Sequence, residues 1–210
     1  MTNTIDAVVF DMGGVLVDLG PITHLLNNDA DADNSTSVEL LADTQWARWL
    51  NSTAVRDYEM GLCDVRSFGE RFVAEAGLTD TASEFIARFQ SWPNGLFEGA
   101  TAMVASLTPR IMTAVLSNTN ALHWHNQRDA ATIQGLCDRN YLSFELGLAK
   151  PDAAMFEHVI ADLGCDADHI LFLDDNQINV DAALRAGMHS ALVRGVEQCR
   201  AVLTQHQLLR

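Results

Sequence analysis

The chain has 210 residues, enough for one well-buried α/β core with an inserted subdomain and too few for two independent domains of ordinary size. Hydrophobic residues make up 48% and charged residues 20%, with only four prolines, which excludes an intrinsically disordered chain. A net charge of -15, from 13 Lys+Arg against 28 Asp+Glu, opposes phosphate backbones and anionic lipid, so neither nucleic acid nor a membrane is expected as a partner.

No window reaches the roughly 18 apolar residues of a membrane span. Met1 to Asp6 lacks a basic stretch leading into an apolar one, so a cytoplasmic location is expected. Cys63, Cys137, Cys165 and Cys199 form no CxxC pair and read as isolated reduced thiols.

Ile5 to Phe10 is an apolar, β-branched run interrupted only by Asp6 and Ala7. It predicts a strand covered on both faces, stopping at Asp11-Met12-Gly13-Gly14. From about Asp18 to Trp92 the character changes. Helical patterns occupy Val38 to Leu50, Val65 to Gly77 and Ala82 to Phe89, with polar breaks between them, and predict an inserted helical cap over 18–92 between core segments 1–17 and 93–210.

Ile111 to Leu116 predicts a second buried strand, ending at Ser117-Asn118. Lys150-Pro151-Asp152 then opens a helix whose Met155, Phe156, Val159, Ile160 and Leu163 recur at helical spacing, with Gly164 as its stop. A third strand, Ile170 to Leu173, ends at Asp174-Asp175-Asn176. A helix face at Val180, Ala183 and Leu184 follows, with Gly187 as its cap and a strand from Ser190 to Val193. Alternating β and α elements predict an α/β fold with a doubly wound parallel sheet, and ligands bind such sheets beyond the carboxyl ends of the strands. Asp11, Ser117 and Asp174-Asp175 are expected to converge there.

Taken singly, Asp11 is a turn or helix-capping carboxylate, Ser117 a turn residue and Lys150 a lysine flanking a helix. Adjacent Asp174 and Asp175 repel one another unless a cation or hydrogen-bond donors compensate. Together Asp11, Ser117, Lys150 and Asp175 supply what phosphoryl transfer needs, namely an in-line nucleophile, donors and positive charge for the phosphate oxygens, and oxygen ligands for a metal. Magnesium prefers such ligands and keeps several waters, so few protein groups suffice.

The stretches FDMGGVLVD, LSNTN, SFELGLAKPDAAMF and FLDDNQINVDAALRAGM resemble, in order, the four motifs of haloacid dehalogenase-like hydrolases with a helical cap, over roughly two thirds of the chain. The resemblance implies a phosphatase in which Asp11 is the nucleophile that becomes an aspartyl-phosphate. Ser117 and Lys150 hold the phosphate, Lys150 also offsets the charge of Asp11, and the amides of Met12 and Gly13 complete the cradle. It further implies Mg2+ held by the Asp11 carboxylate, the Gly13 carbonyl and Asp175, with Asp174 orienting a coordinated water and Asn118 and Asn179 in support.

The sequence departs from the family at Gly13, where most such phosphatases carry a second Asp for general acid-base catalysis, worth about 10² to 10⁴ in rate. His24, Asp18, a metal-bound water or an acidic leaving group are the available substitutes, and turnover is expected to depend steeply on leaving-group pKa.

Trp46 and Trp49 read as packing within the cap ahead of substrate contact, and His123 and His125 as helix-surface residues rather than metal ligands. Two alternatives stay open: a metal-independent haloacid dehalogenase, for which Asp174-Asp175 would be superfluous charge, and a non-catalytic binding protein, suggested by Gly13. A receiver domain is disfavoured because its acidic pair precedes the other motifs. The expected partner is a small phosphorylated metabolite, such as a sugar phosphate, bound by a monomer or homodimer.

Overall fold

The computed structural model describes residues 4–26 and 38–210, so residues 27–37 of the expected cap and Met1 to Asn3 lie outside the described residues. Seven strands are present among the described residues: β1 (Ala7–Phe10), β2 (Val17–Asp18), β3 (Gly95–Leu96), β4 (Met112–Ser117), β5 (Arg139–Leu142), β6 (Ile170–Asp174) and β7 (His189–Leu192). Five form one parallel sheet in the order β5-β4-β1-β6-β7, and β2 and β3 form a short antiparallel pair.

β1 lies at the centre because its four residues are all apolar and can be covered on both faces. Side chains alternate across a strand. Val8 and Phe10 therefore face one layer with Leu171, Leu173 and Val115, packed by helices Ala100–Ala105 and Gly195–Gln205. Ala7 and Val9 face the other with Ile170, Phe172, Ala114 and Leu116, packed by helices Ala153–Leu163 and Gln177–Arg185. After β5 the chain crosses to the far side of β1, which places a topological switch point beside that strand.

The register fixes the depth at which each strand ends. Phe10 pairs with Val115 and with Leu173, so Asp11, Ser117 and Asp174 emerge within one or two residues of a common level. Gly164 ends helix Ala153–Leu163 in the left-handed conformation, φ 67, which glycine adopts at little steric cost.

Between β2 and β3 lie helices Ile22–Leu25, Val38–Leu50, Thr53–Glu59, Val65–Ala76 and Ala82–Gln90. They share a separate hydrophobic cluster that includes Phe68, Phe72, Phe85, Phe89, Trp49 and Trp92. Trp49 packs against Phe72 at 5.2 Å and Trp92 at 5.4 Å between ring centroids, and Trp46 against Trp92 at 5.7 Å, so both tryptophans belong to the packing of this helical unit. Local signals set the helix starts. The Ser52 and Asp64 side chains accept from the amides of Val55 and Ser67, and Thr81 with Glu84 forms a reciprocal capping box.

Among the elements absent from the sequence expectations are helix Thr53–Glu59, strands β2, β3 and β5, and the core helices Ala100–Ala105 and Gly195–Gln205. His123 also departs from them. It is buried, its Nε2 lies 2.7 Å from the Phe89 carbonyl, and its ring packs 4.1 Å from that of Phe89 at a tilt of 38°, so it joins the sheet domain to the helical unit. Its partner in the pair, His125, is exposed. No helix among the described residues is long and apolar enough to cross a membrane.

Candidate active site

Asp11 follows β1 and still donates its amide to the Leu173 carbonyl at 2.8 Å, so the extended pairing with β6 persists one residue past the strand and holds the Asp11 backbone. The chain then reverses. The amides of Leu16 and Val17 both donate to the Met12 carbonyl, and that of Gly14 to the Val17 carbonyl. Gly14 has φ +73 and a Cβ there would overlap the Asp175 carboxylate, which makes glycine obligatory at this position. Gly13 has no such φ, and a Cβ there would come 2.9 Å from Leu19 Cδ1, so a leucine side chain occupies the space into which a carboxylate at position 13 would project.

Lys150 stands at the centre of the site. Its ammonium donates to Asp11 Oδ1 and to Asp174 Oδ2, each at 2.7 Å, and its side chain is 2% exposed. The lysine backbone is held by Asn118, whose Nδ2 donates to the Lys150 carbonyl at 2.9 Å and whose Oδ1 accepts from the Lys150 amide at 2.8 Å. Asp174, the last residue of β6, is fully buried. Its Oδ1 accepts from the Asn176 amide at 2.8 Å, and Asn179 Nδ2 lies 3.1 Å from both oxygens. Its desolvated charge is thereby met on every side, as a buried carboxylate requires.

The remaining expected residues are distributed as follows. Ser117 ends β4 and is buried, and among the described residues its hydroxyl makes one long hydrogen bond, 3.4 Å to the Asn118 carbonyl. The Met12 amide donates to Asp11 Oδ1 at 2.7 Å, and among the described residues the Gly13 amide and carbonyl enter none of the turn's hydrogen bonds. Of the substitutes for a carboxylate at position 13, Asp18 accepts from the Gly20 amide and from Asn94 Nδ2, which binds it to the β2 and β3 connection, while His24 is exposed.

Asp11, Asp174 and Asp175 each offer an oxygen within 4.8 Å of the others. Burial pushes the Asp11 carboxyl up to about 8, with Lys150 opposing and Asp174 and Asp175 adding to the rise. Asp175 is also raised, by burial and then by Asp174. Burial opposes charge on Lys150, but Asp11 and Asp174 outweigh it and hold the ammonium well above the usual lysine range. Fully ionised, three carboxylates and one ammonium leave two uncompensated negative charges, which a divalent cation neutralises. All three donors are hard carboxylate oxygens, and the set therefore fits Mg2+.

The helical unit reaches this site through helix Thr53–Glu59, whose start the Ser52 cap marks. Arg56 pairs with Asp152, two residues beyond Lys150, at 2.6 Å. A Cβ at Gly61, φ +70, would lie 2.5 Å from the Phe144 carbonyl, so the turn after this helix touches the segment that delivers Lys150.

The model of the haloacid dehalogenase-like hydrolases matches residues 5–187. A sesquiterpene phosphatase of Aspergillus oryzae is 28% identical over 191 residues, covering 90% of this chain and 89% of that protein. A D-ribitol-5-phosphate phosphatase of Bacteroides thetaiotaomicron is 24% identical over 192 residues, covering 87% and 89%. A HAD family enzyme from Bacteroides thetaiotaomicron, crystallised with magnesium and inorganic phosphate, superposes with a TM-score of 0.68 at 23% identity, covering 90% of this chain and 94% of that one. The chain belongs to the haloacid dehalogenase-like hydrolases.

Proposed function

We propose that this hydrolase is a Mg2+-dependent phosphatase of small phosphorylated metabolites, working through an aspartyl-phosphate on Asp11. The observation that carries the reading is the double grip of Lys150 on Asp11 and Asp174 beside the carboxylate of Asp175. Lys150 orients the Asp11 carboxylate and screens it from an approaching phosphate dianion. Ser117 and the Gly13 amide supply further donors for phosphate oxygens, and Asn118 fixes the lysine that accompanies them.

In this reading Asp11, the Gly13 carbonyl and Asp175 hold Mg2+, and Asp174 orients a coordinated water. When bound, the ion offsets the repulsion between a carboxylate nucleophile and an anionic phosphate. A metal-independent dehalogenase has no need of Asp175, which argues for phosphate over a carbon-halogen substrate. We assign residues 18–92 as the cap over this site and sugar or polyol phosphates as the first substrates to test, with terpenyl phosphates second. The polyol and terpenyl classes are those that the names of the two phosphatase relatives supply. A cytoplasmic monomer or homodimer without nucleic-acid or membrane partners completes the proposal, in keeping with the charge of -15.

Hydrolysis of 4-nitrophenyl phosphate by purified protein, with magnesium, with EDTA and in Asp11→Asn, tests it. Activity that needs magnesium and disappears in Asp11→Asn supports the reading. Activity indifferent to EDTA, or surviving in Asp11→Asn, overturns it.

A further inference from the structure

We infer that Glu59, carried on the helical unit, is the general acid and base of the reaction, filling the role for which Gly13 offers no side chain. The inference rests on the phosphatase reading above. Arg56 and Glu59 are three residues apart and share one face of helix Thr53–Glu59. Arg56 ties that face to Asp152, and Gly61 seats the following turn on Phe144, so Glu59 is anchored from both sides against the segment 144–152 that presents Lys150.

The Glu59 carboxyl is partly buried and within electrostatic reach of the Lys150 ammonium. Among the described residues it forms neither a hydrogen bond nor an ion pair. Nearby carboxylates are otherwise engaged or turned outward: Asp152 is paired with Arg56, Asp18 is held by Gly20 and Asn94, and Glu145 is exposed. Burial pushes the Glu59 carboxyl up to about 7, against the opposing influence of Lys150 and then Arg56. An acid in that range is available in both protonation states near neutrality, as general acid-base catalysis needs.

In-line displacement puts the leaving oxygen on the side of phosphorus opposite Asp11, away from the strand ends and toward the helical unit. As the bond from Asp11 Oδ to phosphorus forms and the ester P–O bond breaks, the Glu59 carboxylic acid gives its proton to the departing oxygen, releasing an alcohol. Water then enters from the same side. The Glu59 carboxylate takes a proton from it while its oxygen bonds to phosphorus and the Asp11–phosphate bond breaks, which returns ionised Asp11, protonated Glu59 and inorganic phosphate.

The test measures kcat/KM with magnesium for 4-nitrophenyl, phenyl and benzyl phosphate in wild type, Glu59→Gln, Glu59→Asp and Asp11→Asn. Benzyl alcohol is a poor leaving group that needs the proton, whereas 4-nitrophenol departs without it. Glu59→Gln is expected to lose roughly 10²- to 10³-fold on benzyl phosphate and less than about 10-fold on 4-nitrophenyl phosphate, with a burst of 4-nitrophenol, while Glu59→Asp recovers part of the loss. Equal losses across the series, or a loss on benzyl phosphate below about threefold, would overturn the role of Glu59 and leave the phosphatase reading standing. Absence of any magnesium-dependent hydrolysis that Asp11→Asn abolishes would overturn both.

Discussion

Asn118 holds Lys150 by its main chain, through a reciprocal pair of hydrogen bonds of 2.9 and 2.8 Å, while the lysine side chain reaches Asp11 and Asp174. The asparagine thus sets where the ammonium sits without touching it. Asn118→Ala should leave the fold intact at a cost of about 1 to 3 kcal/mol for the unpaired backbone groups. It should lower kcat/KM for 4-nitrophenyl phosphate by roughly 10- to 100-fold through misplacement of Lys150. Steady-state kinetics beside a urea unfolding curve separates the two effects, and an unchanged kcat/KM would show that the clamp is dispensable.

Lys150 also answers for the burial of Asp174, which has no access to solvent. Removing the lysine leaves that carboxylate without its cation, and such changes cost roughly 3 to 5 kcal/mol. Lys150→Met should therefore lower the urea midpoint sharply, and Lys150→Met with Asp174→Asn should recover much of the loss because the orphaned charge is gone. Additive destabilisation in the double variant would mean that the two residues are not energetically coupled.

How far the site is legible in the sequence depends on how local its signals are. Asp11, Ser117 and Asp174 end buried strands, so apolar runs announce them, and Lys150 precedes a helix with a clear apolar face and a glycine stop. β5 carries Arg139 and Asn140 on a half-exposed edge and shows no apolar run. Helix Thr53–Glu59 is too short for a periodic stripe, and only Ser52 before it signals a cap. The role of Asn118 lies in a contact across 32 residues, and the burial of His123 in a contact with Phe89 across 34, neither of which local pattern reveals. What was hidden is tertiary in origin.

The adjacent glycines of the first turn should respond differently to the same substitution. Gly14→Ala places a methyl group against the Asp175 carboxylate in a left-handed backbone, costing about 1 to 2 kcal/mol for the conformation alone. It should also raise the magnesium concentration needed for half-maximal activity. Gly13→Ala meets only the flexible end of Leu19 and should retain activity within a few-fold. Comparable losses in both would show that Leu19 cannot yield.

Burial lowers the His123 imidazole to about 4, with the Phe89 carbonyl opposing. The ring is neutral in the fold, with the proton assigned to Nε2 because that atom faces the carbonyl oxygen. The unfolded chain binds a proton there below about 6.5 and the folded chain does not until about 4, so protonation favours unfolding throughout that interval. His123 therefore leaves stability unaffected above pH 6.5 and removes up to roughly 3 kcal/mol as pH falls from 6.5 to 4. His123→Gln lacks the titration, so the difference in unfolding free energy between wild type and variant should shrink as pH falls from 7 to 5. A difference that stays constant over that range would mean that His123 is charged in the fold or accessible to water. Since His123 bonds to and packs against Phe89, the contact weakened at low pH is one that joins the helical unit to the sheet domain.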